Sequence, residues 1–156
     1  MKTVFVTGCS EGGLGEALCH EFHKRGFHVF ASVRNIQKAT TLKQEHMEVL
    51  PLDVTSPESI SQCASLVKSK TGGKLDVLVN NAGSILLGPL LDVPIPESRR
   101  VFDVNVWGML AVTQAFAPLV IDAGGAILNI CSIAGAVRLA WQGIYTFRFP
   151  FFRSPF

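Results

Sequence analysis

The stretch Thr3-Val4-Phe5-Val6-Thr7-Gly8-Cys9-Ser10-Glu11-Gly12-Gly13-Leu14-Gly15 decides how the chain is to be read. Val4, Phe5 and Val6 are β-branched or aromatic with no polar residue between them, the pattern of a strand buried on both faces. Thr7-Gly8 stops the strand. Residues 15–25 then carry Leu18, Cys19 and Phe22 at helical spacing, and Gly26 ends that helix. Glycines between a buried strand and an amphipathic helix let the backbone come close to a pyrophosphate. The helix N-terminus adds unpaired N–H groups and positive potential.

Outward from this unit the pattern repeats. Further apolar runs at 29–33, 49–54, 75–79 and 126–130 read as strands, the one at 49–54 weakened at its start by Pro51. Between them, residues 36–46 read as a polar surface helix with Ile36, Ala39 and Leu42 on one side. Ser56-Pro57-Glu58 supplies a hydroxyl cap, a proline at the first helical position and an acid in the first turn. Ile60, Ala64 and Val67 form the stripe of that helix, and Gly72-Gly73 end it. A long helix spans 96–122, closed by Gly124-Gly125. Strands alternating with helices, the strands almost wholly apolar, predict a parallel sheet covered on both faces. Right-handed crossovers make it doubly wound, in the order 3-2-1-4-5. No linker or repeat divides it, so residues 1–145 form one domain.

Composition excludes several classes. The chain has 156 residues, 48% hydrophobic and only 17% charged, which places it among core-rich globular proteins. The formal charge of +2 is scattered along the chain, unlike the basic footprint of a nucleic-acid binder. Cys9, Cys19, Cys63 and Cys131 form no C-x-x-C pair, so they predict free thiols in a reducing compartment. Met1-Lys2-Thr3 runs directly into the first strand, against a secretory signal. The apolar stretch 108–121 is interrupted by Thr113, Gln114 and Pro118 and falls short of the roughly 20 residues of a membrane span. The expected location is cytoplasmic. His20 and His23 lie one helical turn apart without an evident third ligand, and no metal site is expected. Trp107 and Trp141 are expected to pack or to line a cleft.

The end of the second strand chooses between dinucleotides. An acid there would accept hydrogen bonds from the adenosine ribose, whereas a base would pair with a 2′-phosphate. The chain has Val33-Arg34-Asn35, with Arg34 placed 19 positions beyond Gly15. A Rossmann-type domain that prefers NADP(H) is the expectation.

Taken together, the motifs resemble the short-chain dehydrogenase/reductase family over about residues 1–145. Thr7-Gly8 with Gly13 and Gly15 is similar to its glycine motif, with one residue more than the commonest spacing. Asp53-Val54 resembles its adenine-contacting aspartate, and Asn80-Asn81-Ala82-Gly83 its N-N-A-G motif. The resemblance implies cofactor contacts at Gly8, Ser10, Gly13, Leu14, Gly15, Arg34, Asp53, Val54, Asn81, Ala82 and Gly83. It implies catalytic roles for Ser132, which polarises a carbonyl oxygen, and Tyr145, which exchanges a proton with it. Asn105 in Asp103-Val104-Asn105-Val106 is implied to hold a proton-relay water. The substrate implied is a small carbonyl or alcohol, and complete relatives are expected to be homo-oligomers. The longer glycine loop is also similar to that of fungal members resembling 1-acyldihydroxyacetone-phosphate reductase, which would place the chain at an endoplasmic-reticulum or lipid-droplet surface.

The chain also departs from the family. Four residues after Tyr145, where the family has a lysine, stands Phe149. Arg148 is close in sequence, but Pro150 disfavours helical geometry at Phe149. The family's last strands and substrate loop have no counterpart, so the fifth strand is expected to be a bare sheet edge. Residues 146–156, with five phenylalanines among eleven, read as a non-native or disordered tail, or as an aromatic-basic membrane-surface patch. Two functions therefore stand at this point: an NADP(H)-dependent oxidoreductase, or an inactive nucleotide-binding or partner-binding fragment.

Overall fold

β1 (Thr3–Thr7) lies in the middle of a parallel sheet, between β2 (His28–Val33) and β4 (Val77–Asn80). The computed structural model describes residues 1–44, 47–135, 137 and 140–147. β3 (Glu48–Pro51) extends the sheet beyond β2, and β5 (Ala126–Asn129) extends it beyond β4. The order is 3-2-1-4-5, as the run of apolar strands and right-handed crossovers requires.

The period of two along β1 sends its side chains into two separate cores. Phe5 packs with Phe30 and Leu78 under α3 (Pro57–Thr71) and α5 (Met109–Ala123), and its ring stacks on Phe116 at 4.4 Å between centroids. Val4 and Val6 pack on the other face with Val29, Ala31 and Val79, covered by Cys19 of α1 (Leu14–Lys24) and Leu42 of α2 (Thr40–Gln44). Ser56 caps α3 by accepting the Ser59 N–H at 3.2 Å, with Pro57 at the first position.

The segment expected as one surface helix is two pieces, a 3-10 turn at Ile36–Lys38 and then α2. The Asn35 side chain accepts the Gln37 N–H at 2.9 Å and fixes the turn. Ala39 and Leu42 are fully buried, so the piece is core on its inner side. The last two positions of the expected helix, 45 and 46, lie outside the described residues. β3 is shorter than expected because Asp53 turns the chain: its carboxylate accepts the Thr55 N–H at 2.9 Å.

The long helix is continuous over Ile95–Ala123 and passes through Pro118. Between α4 (Ile95–Phe102) and α5 it opens into a wider π turn at Asp103–Gly108 that the sequence did not announce. At 29 residues it is long and apolar enough to cross a membrane by length and composition, unlike the shorter run read from the sequence. Its Val112, Phe116, Leu119 and Val120 are buried within the protein.

All four residues of β5 are exposed, and among the described residues nothing pairs with its outer edge. α6 (Gly143–Phe147) takes in the first two positions of the expected tail, and positions 148–156 lie outside the described residues. The cysteines are free, three buried and Cys131 exposed.

Candidate functional site

The loops after β1 and β4 cross at backbone contact. Gly8 has φ +74°, and a Cβ there would stand 2.7 Å from the Ala82 Cα. Gly15 has no room either, since its Cβ would lie 2.5 Å from the Gly8 carbonyl oxygen. Thr7 ties the crossing together, its Oγ1 accepting the N–H groups of Asn81 and Ala82, both at 2.9 Å. Asn81 Nδ2 donates back to the carbonyls of Thr7 at 2.8 Å and Gly8 at 3.0 Å. The two loops thus form one platform at the carboxyl ends of adjacent parallel strands, where a doubly wound sheet reverses its winding and opens a crevice.

A cleft of about 650 Å³ occupies that crevice. Of the residues singled out in the sequence, Gly8, Ser10, Arg34, Asp53, Val54, Asn81, Ala82 and Gly83 line it together. Gly13, Leu14 and Gly15 do not line it but start α1 beside it. Gly13 is the N-cap, and no side chain caps the helix, so its first N–H groups remain available to an anion. Asp53 accepts both the N–H and, at 2.7 Å, the hydroxyl of Thr55. These bonds, with Arg34 nearby, hold its carboxyl below the usual aspartate range despite partial burial. Asp53 is therefore an anion and a pure acceptor at neutral pH.

Asn105 is buried beneath the cleft on the π turn. Its Oδ1 accepts the Ser84 N–H at 2.8 Å and its Nδ2 donates to the Ser84 carbonyl at 2.7 Å. Both ends of the carboxamide are thus engaged with the loop that lines the cleft. The wider turn also seats Gly108, where a Cβ would meet the Val54 carbonyl at 2.8 Å, so the helix touches the β3 loop closely.

Ser132 and Tyr145 do not line this cleft. Ser132 precedes a 3-10 turn at Ile133–Gly135, its Oγ accepting the Ala134 N–H at 3.2 Å. Tyr145 is half-buried on α6, which packs against that turn. α6 is located by a parallel bridge between Gly88 and Gln142 and by Gly143 against Leu90. Trp107 and Trp141 are 60% and 64% exposed; Trp107 borders a second depression that shares Arg34 and Val54 with the first.

The family model for short chain dehydrogenase matches residues 2–146. The chain belongs to the short-chain dehydrogenase family. The chain is 49% identical over 147 residues to a short-chain dehydrogenase from Talaromyces islandicus, covering 94% of this chain and 52% of the relative. It is 38% identical to an NADPH-dependent 1-acyldihydroxyacetone phosphate reductase of Schizosaccharomyces pombe, covering 92% and 49% of the two chains. A short-chain dehydrogenase structure from Streptomyces avermitilis superposes with a TM-score of 0.86 at 31% identity, covering 93% and 54%. The chain spans about half the length of these relatives.

Sequence reasoning missed three contributors to this candidate site. Lys38 lines the cleft with Arg34, and its signal was a second cation one turn past the first. Thr7 was read as a strand end and as part of the glycine motif, and its bond to the β4 loop depends on a partner 74 residues away. Ser84 lines the cleft directly after the N-A-G run.

Proposed function

We propose that the cleft binds NADP(H) and that the site serves the interconversion of a small-molecule carbonyl and alcohol. One observation carries the cofactor choice: Arg34 and Lys38, both exposed, line the same cleft, while no acid stands at the end of β2. A 2′-phosphate would meet two cations there, and a bare ribose would meet no carboxylate at the end of β2. The NADPH dependence of the fission-yeast relative points the same way. The site also fits the pyrophosphate, because Gly8 and Gly15 keep the loop free of side chains beside an uncapped helix start.

Asp53 and Val54 would hold the adenine end, and Asn81, Ala82 and Gly83 the middle of the cofactor. When bound, the nicotinamide supplies the hydride. Tyr145 would exchange a proton with the substrate oxygen and Ser132 would hydrogen-bond it. Asn105 would keep the Ser84 loop in place at the cleft wall.

A second function, binding without turnover, is favoured by Phe149. A lysine four residues after the tyrosine would lower the tyrosine's proton affinity. Fluorescence titration of the chain with NADPH and NADH tests the cofactor assignment. NADPH should bind tighter, and equal affinities would overturn the assignment.

A further inference from the structure

Glu16 stands at the third position of α1, after Gly13 as N-cap, Leu14 and Gly15. A glutamate at this position usually reaches back to the N–H of the N-cap residue itself. Here it reaches one residue farther, and Oε2 accepts the Gly12 N–H at 2.6 Å. Its other oxygen, Oε1, accepts the hydroxyl of Thr41 on α2. One carboxylate therefore joins the glycine loop to the element that follows the Arg34–Lys38 segment. Two further bonds run alongside: the Glu11 N–H donates to the Lys38 carbonyl at 2.8 Å, and the Thr40 hydroxyl donates to Glu11 at 3.3 Å.

These connections join the two halves of the cleft's phosphate chemistry. The glycine loop and the start of α1 offer backbone donors on one side. Arg34 and Lys38 offer charge on the other. The chain between the two is α1, a turn and β2, and Gly12 and Gly13 at the loop tip carry no side chains. Gly12 and Gly13 are exposed, so packing holds the base of the loop at Cys9 but not its tip. The Glu16 side chain, by contrast, is only 13% exposed.

We propose that Glu16 is a positioning residue of the nucleotide site, fastening the glycine loop to α2 so that the pyrophosphate donors and the Arg34–Lys38 cations keep one fixed separation. The proposal rests on the NADP(H) assignment of the cleft. It runs against simple electrostatics, and that makes it decidable. A carboxylate beside a pyrophosphate site repels the ligand, so a Glu16 that did nothing but carry charge would be improved by any neutral replacement. A fastening Glu16 responds differently to different neutral replacements. Glu16→Gln keeps both links, because the amide oxygen can accept from Gly12 and the amide nitrogen can donate to the Thr41 oxygen. Glu16→Ala keeps neither.

The experiment titrates NADPH and NADH into the wild-type chain and into Glu16→Ala, Glu16→Gln and Thr41→Val, and follows Gly12 amide exchange by NMR without nucleotide. Glu16→Ala should bind NADPH roughly ten-fold more weakly, with Glu16→Gln within about three-fold of wild type. Gly12 exchange should accelerate in the alanine variant and not in the glutamine one. Thr41→Val leaves α1 untouched, so it serves if Glu16→Ala fails to fold. It should lose part of the preference for NADPH over NADH. Alanine and glutamine variants that both bind as tightly as wild type, or tighter, overturn the proposal, as does unchanged Gly12 exchange in Glu16→Ala. If wild type binds neither nucleotide while Glu16→Ala still releases the Gly12 amide, the cofactor assignment fails and the fastening of the loop stands.

Discussion

Gly8 and Ala82 meet so closely that a single methyl on Gly8 would lie 2.7 Å from the Ala82 Cα. The glycine-rich loop is therefore shaped by the protein as well as by any phosphate. The crossing of the β1 and β4 loops needs the glycine before a ligand arrives.

That contact separates two glycines with similar backbone angles. Gly8 has φ +74° with Ala82 against it, whereas Gly12 has φ +76° and nothing within 4 Å. Gly12→Ala should cost about 1–2 kcal/mol, the left-handed penalty alone. Gly8→Ala adds a backbone clash and should cost about 2–5 kcal/mol in all. Urea melts of the two variants check the difference, and equal losses would show that the crossing relaxes freely.

Cofactor preference should follow the two cations. Arg34→Asp should reverse the preference from NADPH to NADH, by repelling the 2′-phosphate and supplying an acceptor for the ribose hydroxyl. Lys38→Ala should weaken NADPH by roughly three- to ten-fold and leave NADH nearly unchanged. Raising the ionic strength should erode NADPH affinity more than NADH affinity, because both cations are exposed. Isothermal titration at low and high salt reads all three outcomes.

Acid stability should report a cluster far from the cleft. Glu48 accepts from Lys70 at 2.6 Å and lies 2.8 Å from His28 Nε2. Partial burial opposes its ionisation, but hydrogen bonds from Lys70 and His28 outweigh that and hold its carboxyl below the usual range. A carboxyl depressed in the folded state binds fewer protons than in the unfolded chain. Its contribution is thus present above the ordinary glutamate pKa and lost as pH falls through the folded value. Glu48→Gln should lower stability by up to about 1 kcal/mol at neutral pH, given its partial exposure, and by progressively less in acid as pH falls through the folded value. Melts at neutral and acid pH test this, and a difference undiminished in acid would assign the loss to packing.

Turnover should be slight. Phe149 occupies the position of the family's lysine, and general acid–base assistance is worth roughly 10²–10⁴-fold. NADPH oxidation with a panel of aldehydes and ketones should stay at background. Steady oxidation that Tyr145→Phe abolishes would show that the tyrosine works without that lysine.

The strand order, the glycine loop and the capped start of α3 were all legible beforehand. Each rests on a local signal: a run of apolar residues, a glycine pair, a Ser-Pro-Glu start. Parallel strands joined by helices allow few topologies, so local signals sufficed for the global one. Arg34 was legible for the same reason, because the distance from glycine loop to second strand end is set by one helix and one strand.

What the sequence determined by itself was therefore which segments are strands and helices, their order in the sheet, and the edge at which the chemistry gathers. Tertiary structure alone decided how that edge is held. Thr7 with Asn81, Asn105 with Ser84 and Glu16 with Thr41 are pairs separated by 74, 21 and 25 positions, and no periodicity links their members. The π turn that sinks Asn105, and the break of the 36–46 segment into a 3-10 turn and α2, were equally hidden. The physical reason is common to all of them. Strand and helix patterns arise from each residue's near neighbours, whereas a hydrogen-bonded or close-packed pair exists only after the sheet has brought distant loops together.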